Sequence, residues 1–236
     1  MSTLRGGPNV VTNGLLLYMD AANSRCYPGT GTVWTDLSGN NNSGTLMAPI
    51  TYSTAPSRFE TNATAPADFN QILCANTLTF SDTSEYSFDF FIKMRAGWFA
   101  GSIFNMLTGL FAGTPFVAIR PSTGIIWNIW WRQASGVYVV GANVTNIDLA
   151  NTWVHISLVI NSSRVVSAYL NGTLLQTFTL ATSAFQINRI ASAYNASDGN
   201  YYTLQGAIAT SKIYNRALSS SEVLNNFNAL RGRFGI

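Results

Sequence analysis

Glu85 and Asp89 are the first residues to test for chemistry, because glycoside hydrolysis uses two carboxyl groups on one face. A retaining mechanism needs them ~5 Å apart. Four residues apart on one strand, they would sit ~13 Å apart. None of the ten acidic residues shares a strand face with another at a spacing of two. The one histidine, His155, falls on a strand face with Trp153 and Ser157. A Ser-His-Asp relay would want a Gly-x-Ser-x-Gly turn to carry the serine, and none supports it. His155 therefore reads as a sheet histidine satisfied by its neighbours. No Cys/His group has zinc spacing, and no glycine-rich phosphate cradle occurs. Cys26 and Cys74 permit one disulfide without arguing for it.

Sugar binding asks for a different set: a ring to stack on C–H faces and polar neighbours for hydroxyls. Asn128, Trp130 and Arg132 alternate onto one strand face, with Trp127, Ile129 and Trp131 on the other. That first face is the best contact surface for a glycan or a protein partner. A second is the polar-aromatic stretch from Tyr194 to Tyr202, read as a loop carrying Tyr194, Tyr201 and Tyr202. Trp130 packed under a loop, and tyrosines that merely pack, explain the same residues without a ligand. Asp36, Asn40 and Asn42 put hard oxygens in one loop and form the candidate metal set. A turn held by Asx hydrogen bonds explains the same residues without a metal and is the preferred reading.

Strands must position these residues. In Trp153 to Ile160, Val154, Ile156, Leu158 and Ile160 alternate with Trp153, His155, Ser157 and Val159. Period two marks a strand with two unlike faces. Asn171-Gly172 then predicts a type I′ hairpin between Val165–Leu170 and Thr173–Thr179. Glu85 to Lys93 puts Tyr86, Phe88, Phe90 and Ile92 on one face and reads as a central core strand. Further strands are expected at 15–20, 45–47, 58–60, 102–107, 116–120, 125–132, 137–140 and 207–214. Residues 21–37 and most of 48–70 read as loop. Ser219 and Glu222 form a capping box, and Val223, Leu224, Phe227 and Leu230 recur at helical spacing behind it. The expectation is an all-β sandwich or barrel with one short C-terminal helix. Residues 1–13 read as an N-terminal arm, frayed or docked on a neighbour, and 14–236 as one domain.

Bulk properties narrow the classes. Only 10% of the 236 residues are charged, against about a quarter in typical domains. Such a surface relies on Ser, Thr, Asn and Gly for solubility and suggests that partners cover part of it. Eleven arginines stand singly along the chain against only Lys93 and Lys212, with no basic run. That argues against a nucleic-acid partner. The most apolar window, Trp98 to Ile119, is broken by glycines and Pro115, so no membrane span is expected. The N-terminus has no apolar signal segment, so cytoplasmic synthesis with reduced thiols is expected.

Three blocks carry a resemblance: Leu15 to Asn23, Tyr27-Pro-Gly-Thr-Gly, and Trp34-Thr-Asp-Leu-Ser-Gly-Asn40. Together with Trp153-x-His155, Tyr169-Leu-Asn-Gly172, and Gly206 through Ser219 to Glu222, they resemble laminin-G-like, concanavalin A-like domains. That implies a jelly-roll β-sandwich of two antiparallel sheets. The version with these N-terminal blocks is similar to domains in structural proteins of tailed bacteriophages, notably of marine cyanobacteria. The resemblance implies a non-enzymatic virion component, assembled in the host cytoplasm and displayed on capsid or tail. Its partners would be capsid or tail proteins, further copies of itself as a homo-oligomer, and a host cell-surface polysaccharide. It also implies calcium as the one candidate cofactor, held near Asp36, Asn40 and Asn42. Glucanase members of the superfamily carry a Glu-x-Asp-x-x-Glu type strand, and this chain departs from that pattern.

Overall fold

Every residue from Tyr86 to Ile92 is buried in the computed structural model, on both faces of the strand they form. A strand can be buried twice only where layers cover both sides. The structure describes residues 8–47, 49–61, 71–95, 105–109, 116–123, 126–132, 138–144, 151–195 and 200–236. For strands between 105 and 144, Val117 apart, and for 193–202, only backbone pairing is described.

The described strands are β1 (Leu15–Asp20), β2 (Val33–Trp34), β3 (Gly44–Leu46), β4 (Thr51–Thr54), β5 (Ser57–Glu60) and β6 (Ile72–Phe80). There follow β7 (Tyr86–Met94), β8 (Asn105–Gly109), β9 (Phe116–Thr123), β10 (Ile126–Arg132), β11 (Tyr138–Val144) and β12 (Trp153–Ile160). The last are β13 (Val165–Leu170), β14 (Thr173–Thr179), β15 (Phe185–Ile190), β16 (Ser192–Asn195), β17 (Asn200–Thr203) and β18 (Gly206–Tyr214). Helix α1 (Ser220–Leu230) ends the chain, followed by a 3-10 turn at Arg231–Arg233.

One sheet runs β14-β13-β12-β7-β18-β5-β4, with β1 beside β5 on the outer side of β18. The other runs β11-β10-β9-β8-β15-β6-β3-β2, and β16–β17 form a separate hairpin. The pairings are antiparallel. This is the expected sandwich of two antiparallel sheets with one short C-terminal helix. Phe88, Phe90, Ile92, Ile156 and Leu158 on the first sheet meet Trp34, Ile72, Phe185 and Ile187 on the second in one core. Each such side chain taken out of water contributes roughly 1.5–3 kcal/mol.

The opposite face of the first sheet carries a third layer. Phe227, Leu230 and Phe234 of the helical end cover Phe91, Trp153, Ala207 and Ala209. Val223 and Leu218 cover Val159, Tyr169 and Tyr214. Ser219 caps the helix and Glu222 closes the capping box, as their spacing predicts. The arm is docked in place: Val11 N–H donates to Asn226 Oδ1 at 2.8 Å, and Tyr214 O–H donates to the Val11 carbonyl at 3.0 Å. The stretch from Asn9 to Asn13 thus binds this chain's own helix and final strand. The Asn171-Gly172 turn has φ of 50° and 77°, as a type I′ turn requires. A Cβ on Gly172 would lie 2.9 Å from Leu224 Cδ1, so the turn also seats the helix.

Several strands were not expected. β2 and β4 fall in stretches read as loop, and β6 and β15 in stretches given no strand. Mid-strand β6 is exposed, and its pairing with β15 shifts register between Ile187 and Arg189, so its alternation lapses. The Tyr194–Tyr202 stretch is not a simple loop: β16 and β17 pair there as a hairpin.

One polar group sits between the sheet and the helix. Asp89, His155 and Lys212 are all fully buried. Lys212 Nζ lies 2.6 Å from Asp89 Oδ1, and His155 Nε2 lies 2.8 Å from Asp89 Oδ2. Asn226 Nδ2 of the helix donates to Asp89 Oδ2 at 3.2 Å and to the Tyr214 hydroxyl at 3.0 Å. Burial would raise the Asp89 carboxyl, but Lys212 and His155 beside it hold it well below the usual carboxylate range.

Removing the carboxylate leaves the Lys212 ammonium buried without its counter-charge. Asp89→Asn is expected to lose about 3–5 kcal/mol in urea unfolding. The Asp89 pKa is lower folded than unfolded, so its contribution is complete above the unfolded value of about 3.9 and drains away as pH falls below it. Acid unfolding monitored by tryptophan fluorescence checks this. The wild type should weaken over that window, and the Asn variant should lack that part of the pH dependence.

Candidate functional site

Strand β7 ends at Met94, and there the first sheet opens into a cleft. Lys93 and Arg95, Glu60 from β5, Asn151, and the backbone of Gly206 and Ala207 line a cavity of about 300 Å³. Hydrogen bonds fix its floor. Arg95 N–H donates to the Gln205 carbonyl at 2.8 Å, and Asn151 N–H donates to the Met94 carbonyl at 2.6 Å. Thr61 N–H and Oγ1–H both donate to the Gly206 carbonyl, at 2.8 and 3.2 Å. Gly206 has φ +151°, and a Cβ there would stand 1.9 Å from the Lys93 carbonyl oxygen. Only glycine lets β18 approach β7 this closely. Glu60 is ion-paired with Arg58.

The residues singled out by pattern lie elsewhere. β10 pairs with β9 without a break from Trp127 to Arg132, so Asn128, Trp130 and Arg132 keep alternate positions on one strand. On the other side the register shifts between Asn128, opposite Asn143, and Trp130, opposite Val140. Tyr194 is paired opposite Tyr201, and Ala193 opposite Tyr202. The side chains of these six residues lie outside those described.

Asp36, Asn40 and Asn42 do come together, as the scaffold of a turn. Asp36 Oδ1 accepts from the Tyr18 and Ser38 amides, both at 2.9 Å. Its Oδ2 accepts from Ser38 Oγ at 2.8 Å and the Asn42 amide at 3.0 Å. Asn40 and Asn42 turn their Nδ2 groups onto the Leu15 and Leu16 carbonyls at 2.9 Å each. Four donors occupy the one carboxylate, and Asn42 Oδ1 accepts from Asn76 Nδ2 at 2.8 Å. This set does not fit a calcium ion, which asks for several oxygens turned toward one point. Among the described residues no three of His, Cys, Asp and Glu converge where they could hold a metal ion.

Glu85 lies before β7 and is exposed, while Asp89 is wholly enclosed. Asp89 and His155 mimic two members of a relay, and Ser157 Oγ nearby has no hydrogen-bond partner. All three are fully buried beneath the helix, out of reach of a substrate. The expectation of a satisfied histidine holds for Nε2 only, since Nδ1 has no partner. Three other carboxylates are engaged by partners within the chain: Asp20 with Arg233, Asp82 with Thr182, and Glu222 with Arg216. Hydrogen bonds from Arg216 bring Glu222 down to about 2.

Sequence reasoning missed the cleft. Its one available signal was Lys93-x-Arg95, which joins one of only two lysines to an arginine at the end of the strongest core strand.

The chain is thus a two-sheet β-sandwich with a polar cleft at its strand ends. The family profile described as the concanavalin A-like lectin/glucanases superfamily, of the laminin G type, matches residues 66–224, and the chain belongs to that superfamily. No curated protein matches the chain. Among solved structures it is similar to the binding domain of Paraclostridial mosquitocidal protein 1, at 16% identity and TM-score 0.64, covering 92% of this chain and 52% of that one. It is also similar to the botulinum neurotoxin serotype D ligand binding domain in complex with N-acetylneuraminic acid, at 12% identity and TM-score 0.64, covering 92% and 51%. A third is the botulinum neurotoxin DC binding domain in complex with rat synaptotagmin II, at 12% identity and TM-score 0.63, covering 93% and 52%. The chain spans about half the length of these structures, and at such identity the likeness is one of fold.

Cys26 and Cys74 are free and buried. Burial pushes both thiols up to about 12. The thiolate is the reactive form. Ellman's reagent is therefore expected to label neither cysteine in the native protein at pH 8 and both in guanidinium; rapid native labelling would contradict the burial.

Proposed function

We propose that this chain is a non-enzymatic recognition module that holds carbohydrate in the cleft between Lys93, Arg95, Glu60 and Asn151. The observation that carries the reading is the cleft itself: a polar cavity whose floor is fixed by backbone hydrogen bonds, on a fold shared with binding domains. The enclosure of Asp89 supports a binding role over a cutting one. The superfamily includes glucanases, so both outcomes are measurable. A glycan array is expected to show binding, with no release of reducing sugar from any glycan bound. Hydrolysis abolished by Glu85→Gln, with the melting temperature unchanged, would reverse the reading, and a blank array would remove it.

A second, compatible reading places the module on a phage particle, anchored to capsid or tail by protein contacts. The N-terminal blocks from Leu15 to Asn40 support it by resemblance. So does edge strand β14, whose Leu174 and Leu175 are exposed near exposed Leu224 and which carries no charge. Uncharged edges invite pairing with another chain. Mass spectrometry of purified particles should find the protein in many copies; particles lacking it would remove this reading.

A further inference from the structure

We infer that the cleft selects acidic sugars: its occupant carries a carboxylate. This rests on the carbohydrate reading above and adds the charge of the ligand. Three observations carry it. First, the two cations on the cleft wall, Lys93 and Arg95, make no ion pair among the described residues. Second, Glu60, the one carboxylate on the wall among the described residues, is already paired with Arg58. Among the described residues the cleft is thus left with uncompensated positive charge, in a chain where charge is scarce. Third, the main-chain amides of Arg95 and Asn151 both donate to carbonyls, so they form no anion-binding nest. Binding must come from side chains.

That combination suits a planar carboxylate on a sugar ring. The arginine fork matches a carboxylate with two parallel hydrogen bonds, while the lysine adds a point charge. Asn151 lies exposed beside the two cations on the cleft wall. Glu60, held by Arg58, offers acceptors. A cavity of about 300 Å³ lies at the small end of ligand sites and fits one or two sugar rings. A free inorganic anion would use the same cations but not the hydroxyl partners.

The test is calorimetric titration of a panel of uronic-acid and sialic-acid oligosaccharides, each beside its neutral parent, with inorganic sulfate as the bare-anion control. At least one acidic member should bind about tenfold more tightly than its parent at low salt. The preference should shrink as ionic strength rises and the Debye length falls below about 8 Å. Arg95→Gln and Lys93→Gln should each lower affinity for the acidic member by more than they lower affinity for its neutral parent, and so abolish most of the preference, with the melting temperature unchanged. Equal affinity for acid and neutral forms would overturn the acidic selectivity and leave the carbohydrate reading standing. So would a preference that survives both variants. Binding of sulfate alone, or of nothing in the panel, would overturn both.

Discussion

One carboxylate on the central strand governs this molecule. Asp89 lies in β7 with both neighbouring strands supplying partners: Lys212 opposite it on β18, and His155 two residues from its opposite number on β12. A charge so enclosed is tolerated only with its partners in place. The helix must therefore sit where Asn226 reaches both Asp89 and Tyr214, and the arm must sit where Val11 closes the hydrogen bonds of Asn226 and Tyr214. The polar cluster thus ties both ends of the chain to the middle of the sheet. The apolar contacts of Phe227 and Phe234 with Phe91 and Trp153 supply driving force around it but do not dictate registration.

This has a consequence for function. The residues that look most like catalytic parts in the sequence, Asp89 and His155, are the ones the fold consumes as structure. Asp20, Asp82 and Glu222 are spent in the same way on arginine or backbone partners. Among the described residues, Lys93 and Arg95 stand together at the end of β7, lining the cleft. The strand whose middle organises the interior therefore presents the cleft at its tip.

Much of this was legible from residue order. The period of two in Trp153–Ile160 and Glu85–Lys93, the Asn171-Gly172 turn and the Ser219–Glu222 capping box reappear as strands, turn and cap because each is a local rule. The lost elements depend on distant partners. β6 reads poorly because Asn76 and its neighbours face solvent across an irregular pairing with β15. β2 is two residues whose strand pairing is with β3. The Asp36 loop shows the reverse failure: oxygen-rich residues that suggest a metal are consumed by backbone amides. The cleft assembles Glu60, Lys93, Asn151 and Gly206 from four separate stretches, and no spacing rule joins them.

The proposed carbohydrate site is the cleft at the end of β7. The most direct measurement is an amide chemical-shift map of the labelled protein titrated with a glycan that binds it. The shifts are expected to centre on residues 93–95, 151 and 206–207, with β10 and the β16–β17 hairpin unmoved. Shifts centred on Asn128, Trp130 and Arg132, or on Tyr194 and Tyr201, would contradict it.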